Sequence, residues 1–202
     1  MKAVTWIYAS LLLVTSNNLA MAHSAIVAPS HGNPNAGVLD AEREKQALGV
    51  FLESVKDGIM SAAKAMPADK YGFAPTGGEF KGVRTFGRQV KHLAATNYML
   101  AAAALGEQPP ADAGDEAGPE AVRRKEEILA YLDGSFVRLG DAMDAIGNIE
   151  IAVKSSPISP LPAAQTTRLA LVVEALIHAF DHYGQMVEYL RMNGVVPPAS
   201  LP

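Results

Sequence analysis

Apolar residues recur every three or four positions in four separate stretches of the chain, and this period is typical of amphipathic helices. The first stretch, at about residues 40–65, carries its apolar positions at Leu48, Phe51, Leu52, Val55 and Ile59. The pair Met66-Pro67 predicts the end of this helix, because proline disfavours a helical residue before it. The pattern therefore predicts one long first helix with one buried face.

Three further helices are predicted from the same period and from capping residues. The second runs over residues 85–105, the third over 119–147 and the fourth over about 165–193. Threonine and proline suit the starts of these helices, and glycine suits their ends. The capping signals are Thr85, Gly106, Pro119, Gly147 and Gly194. Four long helices without strand alternation predict an all-α, four-helix bundle.

The connections and the first residues divide the chain further. Loops rich in proline and glycine occupy 67–83, 107–118 and 148–165, and residues 23–39 have the composition of a flexible lead-in. The chain has 202 residues, which favours a single domain, and we assign that domain to residues 40–202.

Residues 1–22 have the pattern of a secretory signal peptide. Lys2 supplies a positive start, Ala3 to Thr15 is an apolar run, and Ala20-Met21-Ala22 has the small-x-small form of a cleavage site. We expect cleavage after Ala22 and export to the periplasm or the medium. An uncleaved membrane anchor is the second choice, because the run is shorter than the roughly 20 residues that span a bilayer. No later segment is predicted to span a membrane.

Composition excludes several kinds of site. The chain has no cysteine, so thiolate metal sites and disulfides are ruled out. Its formal charge is −4 and it has no basic run, which excludes nucleic acid as an expected partner.

Histidine is the remaining metal-binding residue type. His178 and His182 are one turn apart on the fourth predicted helix, so both imidazoles leave the same face and can reach one ion. His92 on the second helix could add a third nitrogen from across the bundle. Glu174 and Asp181 are candidates to accept the second ring N–H of a ligand histidine. Small Ala175 and Ala179 side chains are expected to leave volume for a substrate beside the rings.

The spacing of the histidines is also compatible with roles that need no metal. His178 and His182 could be two partly exposed side chains beside Glu174 and Asp181, and His92 could be a packing residue. His23 and His31 lie in the lead-in, where no fixed partner is expected.

Two segments resemble the DinB-like (DinB/YfiT) family of proposed metalloenzymes. The segment MPADKYGFAPTGGEFKGVRTFGRQVKHLAATNYML, at 66–100, is similar to that family's helix-loop-helix, with a ligand histidine after Arg-Thr-Phe-Gly. The segment HAFDHYGQMVEYLRMNGVVPPAS, at 178–200, is similar to its last helix and tail. The resemblance extends over about 42–200 and is weak in the third helix.

The resemblance implies an up-down-down-up bundle with one divalent metal on three histidines. Carried over by position, the ligands are His92, His178 and His182. Relatives bind nickel or zinc, which are the ions we expect first, ahead of iron, manganese or copper. Many are dimers, so a homodimer is expected.

The function implied is that of a metal-dependent enzyme, hydrolase-like or a transferase, acting on a small molecule. No general base is identified from the sequence. The alternatives are a non-catalytic protein that binds metal or a small ligand, and a structural or stress-related helical bundle.

Overall fold

A computed structural model describes residues 36–113, 115–146, 153, 156–162 and 166–201. In this part of the chain there are four α-helices, α1 (Ala36–Ala65), α2 (Phe86–Leu105), α3 (Lys125–Asp144) and α4 (Arg168–Met192), and no strand. Short 3₁₀ helices lie at Ala68–Lys70, Ala111–Ala113 and Pro198–Ser200. The predicted all-α, four-helix fold is confirmed. The predicted signal peptide and its cleavage site lie outside the described residues. The predicted helix stop at Gly147 is too late, because α3 ends at Asp144 and Ala145 caps it.

Local capping explains where two of the helices begin and where one of them ends. The Thr85 side chain accepts a hydrogen bond from the Arg88 amide at the start of α2, and Gly106 ends α2 with a left-handed φ of 76°. At the start of α4, the Thr167 side chain accepts from the Ala170 amide at 3.0 Å. These caps satisfy backbone groups that the first and last turns leave without helical partners.

Two predicted helix starts are wrong. α1 begins at Ala36, ahead of the expected residue 40. α3 begins at Lys125 and not at Pro119, because the Glu127 carboxylate accepts from the backbone amides of Arg123 and Arg124 and so caps the helix later in the chain. Residues 119–124 form turns that lie against α2, and this position becomes important at the candidate site.

Contacts between helix ends define the direction of each helix. α1 and α3 are antiparallel, since Lys56 pairs with Asp133 while Lys125 contacts the carbonyl of Met66. α2 and α3 are parallel, since Asn97 is bonded to Ser135 at 3.2 Å and Glu107, just after α2, pairs with Arg138 further along α3. α2 and α4 are antiparallel, from the contact of Gln89 with His182 at one end and of Arg168 with Ala104 at the other. The topology is therefore up-down-down-up.

The core runs along the bundle axis between the four helices, and burying its apolar side chains is the main force that holds them together. Its fully covered side chains include Ile59, Met66, Phe86, Leu93, Leu132, Leu139, Leu171, Met186 and Leu190. Within the described ranges, no helix combines the length and the apolar character needed to cross a bilayer.

The buried face of α4 is formed by small side chains as well as large ones. Ala175, Ala179 and Met186 are covered completely or nearly so, whereas Phe180 is 55% exposed. Alanines let neighbouring helices pack closely but add little to a hydrophobic pattern. His182, 6% exposed, lies on this buried face.

Candidate metal site

Three histidines from two antiparallel helices meet inside the bundle. His92 comes from α2, and His178 and His182 from consecutive turns of α4. Each offers one ring nitrogen, and these three atoms all lie within 4.8 Å of one another. His92 is 4% exposed and His182 is 6% exposed, while His178 is partly buried. The structure therefore brings together all three histidines that the sequence singled out, and no other such metal-binding group occurs among the described residues.

The spacing of the rings is compatible with one shared ion. The Nε2 atoms of His178 and His182 are 3.0 Å apart. The ring centre of His92 lies 5.2 Å from that of His178 and 5.0 Å from that of His182. Two imidazole nitrogens bound to one tetrahedral zinc ion at the usual bond length are roughly 3.3 Å apart. Two ring lone pairs at this separation repel unless a proton or a cation lies between them.

Hydrogen bonds to the other ring nitrogens orient two of the histidines. His92 Nδ1 lies 2.6 Å from the backbone carbonyl oxygen of Glu116, which can only accept, so Nδ1 carries the proton. His178 Nδ1 lies 3.2 Å from Thr96 Oγ1, whose shorter contacts are to the carbonyls of Leu93 at 2.9 Å and His92 at 3.1 Å, and these can only accept. With its single proton on one of these carbonyls, the Thr96 hydroxyl accepts from His178. Both Nε2 atoms are left with a free lone pair, which is the form that binds a metal ion.

His182 is held through its backbone. Gln89 Nε2 donates to the His182 carbonyl and to Gln185 Oε1, each at 3.2 Å, and Gln89 is 2% exposed. The Nδ1 atom of His182 is buried and has no hydrogen-bond partner in the described part of the chain. Its ring is thus fixed by packing, with Nε2 directed at His178.

The surroundings keep the three imidazoles neutral. Burial, together with the nearby His178 and His92, lowers the pKa of His182 to about 3. Burial and the neighbouring His92 lower the pKa of His178 to about 4. Burial also lowers the pKa of His92, against the opposing effect of the Glu116 carbonyl. Neutral rings are the metal-binding form, so protons compete little for this site near pH 7.

A small cavity of about 110 Å³ adjoins His92 and His178. It is lined by His92, Thr96, Leu100, Glu116, Ile158, Glu174 and His178. The Glu174 carboxylate accepts a hydrogen bond from Ser159 Oγ at 2.6 Å, which fixes its position at this cavity. An ion held by the three rings would therefore have room beside it for water or for a few atoms of a ligand.

The expected partners of the histidines differ from those in the structure. Glu174 bonds to Ser159, and Asp181 accepts from Gln185 at 2.8 Å. In the described ranges neither carboxylate is hydrogen-bonded to a ring, so the sequence-based assignment of these two residues as ring partners is wrong. Glu174 borders the cavity without bonding to a ring, and Asp181 is exposed.

Ala175 and Ala179 do not leave the volume that their small size predicts, because both side chains are buried in the core. Thr96 and Glu116 are the partners that the sequence did not identify. Thr96 lies one turn after His92, and that spacing was a usable signal. Glu116 uses its backbone carbonyl, which carries no side-chain signal.

The DinB superfamily matches the chain over residues 52–186, a span that includes all three histidines. No curated protein sequence matches the chain. The family match covers more than half of the chain, and the four helices agree with it. The chain belongs to the DinB superfamily.

Proposed function

We propose that this DinB-superfamily protein binds one divalent metal ion through His92, His178 and His182 and acts as a metal-dependent enzyme on a small molecule. The observation that carries the proposal is the convergence of one ring nitrogen from each of the three histidines, all within 4.8 Å of one another. Nickel and zinc are the ions proposed first, because borderline ions favour imidazole nitrogen; iron, manganese and copper are the alternatives.

Three protein ligands are the number found in catalytic sites, which keep a further position for water or substrate. A metal ion bound here would supply a Lewis acid that polarises a carbonyl or similar oxygen and activates water. The chain's residues define what can reach that position. His92 and His178 line the cavity of about 110 Å³, and Leu100 and Ile158 give it apolar walls.

The cavity sets the size and the chemistry of the proposed substrate. Its volume holds only a small group, so the reacting part of the substrate is small. Glu174, held by Ser159, is the carboxylate positioned to orient that group or to accept a proton from it. These features support a hydrolase-like or a transferase reaction equally. A protein that only binds metal is distinguished from both by activity measurements.

Elemental analysis of protein purified without an affinity tag tests the metal site. We expect about one equivalent of a divalent metal in the wild-type protein and a large loss in His178→Ala. The control is Leu176→Ala, which truncates a buried side chain on the same helix without removing a ligand. Retention of the metal after all three histidines are replaced would contradict the proposal.

We further propose that the protein is exported and that the signal peptide is removed after Ala22. Support comes from the sequence of residues 1–22. Mass spectrometry of the protein from its native cells tests this, with a mature chain that starts at His23 expected. An intact Met1 would contradict cleavage.

We also propose a homodimer. Val50, Phe51, Ile177 and Phe180 are each more than half exposed on the neighbouring helices α1 and α4, and such apolar side chains favour a protein partner. Light scattering of the purified protein tests the proposal, and a monomer mass at high concentration would contradict it.

A further inference from the structure

The segment that carries the Glu116 carbonyl is attached to the helix that carries His92. Lys91, the residue before His92, donates from Nζ to the carbonyl of Pro119 at 2.8 Å and to that of Val122 at 3.4 Å. Two consecutive residues of α2 therefore contact residues 116–122. Lys91 contacts the carbonyls of Pro119 and Val122, and His92 contacts the carbonyl of Glu116.

Gly118 lets this segment come close to α2. Its φ is 72°, a conformation that other residues rarely adopt, and it is buried. A Cβ atom added there would lie 3.0 Å from Lys91 Cγ and 3.2 Å from the Lys91 carbonyl oxygen. A side chain at residue 118 would therefore push the segment away from α2.

The turn itself is closed by local bonds. The Ala117 amide donates to Asp115 Oδ1 at 2.8 Å, and the Gly118 amide donates to the Asp115 carbonyl at 3.0 Å. These bonds flank Glu116 and direct its carbonyl oxygen toward the His92 ring, 2.6 Å away.

We infer that Lys91 and Gly118 are positioning residues for the metal site: they hold the Glu116 carbonyl against His92 Nδ1, keep the proton on that nitrogen and leave Nε2 free for the ion. The inference rests on the proposed metal site for its effect on binding. The position of the proton on His92 is a property of the metal-free protein and can be measured separately.

Lys91→Met removes the ammonium group but keeps most of the aliphatic stem that packs on Gly118. We expect Zn²⁺ to bind this variant about 10- to 100-fold more weakly, which is the usual effect of losing a group that orients a ligand histidine. Lys91→Arg keeps donors for the two carbonyls and should recover much of the affinity. The matched control is Lys45→Met, because Lys45 also donates to a helix-end carbonyl, that of Asp144, at the far end of α3.

Gly118→Ala tests the close approach. The matched control is Gly106→Ala, whose φ of 76° imposes the same backbone strain but whose added Cβ would meet nothing within 4 Å. Both variants should lower the melting temperature. Only Gly118→Ala should also weaken Zn²⁺ binding by about 10-fold or more.

The second readout is ¹⁵N NMR of the imidazoles in the metal-free protein. We expect the proton of His92 on Nδ1 in the wild type and in both control variants, and a mixture of Nδ1 and Nε2 protonation in Lys91→Met and Gly118→Ala. If the wild type binds no divalent metal ion, the proposed function fails and the NMR result still decides this inference. Wild-type affinity together with an unchanged His92 tautomer in Lys91→Met and Gly118→Ala would overturn it.

Discussion

Replacing Thr96 by valine removes the hydrogen-bond acceptor that faces His178 Nδ1 while keeping the shape of the side chain. Thr96 is 3% exposed, and its Oγ1 lies 3.2 Å from the ring nitrogen. In the metal-free variant the ring can move its proton from Nδ1 to Nε2, where it points at His182 Nε2, 3.0 Å away. In the metal-free variant the His178 proton therefore keeps a hydrogen-bond acceptor.

Metal binding excludes a proton on His178 Nε2. The ion needs the Nε2 lone pair, so the proton returns to Nδ1 and faces a valine methyl group. A buried donor left without an acceptor costs about 1–3 kcal/mol. A factor of ten in affinity corresponds to about 1.4 kcal/mol, so we expect Thr96→Val to bind Zn²⁺ about 10- to 100-fold more weakly than the wild type.

Competition titration with a zinc-binding dye measures the affinity, and urea denaturation of the metal-free protein measures the stability. Thr96→Ser is the control, because it keeps the hydroxyl group and loses one buried methyl. That loss should lower the free energy of unfolding by about 1 kcal/mol, with little change in affinity. Compared with the wild type, Thr96→Val should therefore change mainly in zinc affinity and Thr96→Ser mainly in stability.

Equal zinc affinity for the wild type and Thr96→Val, in a protein that binds zinc through the three histidines, would refute this reasoning. It would mean that the tautomer of His178 is determined by other groups. A loss of affinity in Thr96→Ser as large as that in Thr96→Val would also refute it, since the hydroxyl group would then be irrelevant.

Two further predictions concern stability. In the metal-free protein, the folded-state pKa of His178 is lowered to about 4 and that of His182 to about 3, so the unfolded chain binds more protons between these values and about 6.5. The free energy of unfolding should therefore fall as the pH is lowered from 6.5 toward 4, by on the order of 1 kcal/mol per pH unit for each ring. Urea denaturation at pH 7 and pH 5 measures this change. An unchanged urea midpoint would contradict the lowered pKa values. Lys125 donates to the carbonyls of Lys64 and Met66 at the end of α1, each at 2.7 Å. Lys125→Met should therefore lower the free energy of unfolding by about 1–2 kcal/mol without changing zinc affinity. A weaker zinc site in this variant would show that the end of α1 is coupled to the histidines.

The helices and the three histidines could be predicted from the sequence because both depend on spacing. A period of three to four apolar residues defines a helix face, and a separation of four places His178 and His182 on one side of α4. The contribution of His92 depends on how α2 and α4 pack, which spacing alone does not determine. The family resemblance supplied that part of the prediction.

The partners of the rings could not be predicted in the same way. Glu116 contacts His92 through a backbone carbonyl that any residue carries, and its position depends on a turn between α2 and α3. The sequence predicts too early a start for α3, because Pro119 is a good first-turn residue. The capping bond from Glu127 moved the start to Lys125 and left residues 119–124 free to lie against Lys91.

X-ray absorption spectroscopy of the zinc-loaded protein measures the ligands of the ion directly. Three imidazole nitrogens at about 2.0–2.1 Å, with one further light atom, are expected for the wild type, and two imidazoles are expected for His92→Ala. A wild-type spectrum with two imidazoles or fewer, or one that His92→Ala leaves unchanged, would contradict the claim that α2 and α4 share one metal ion.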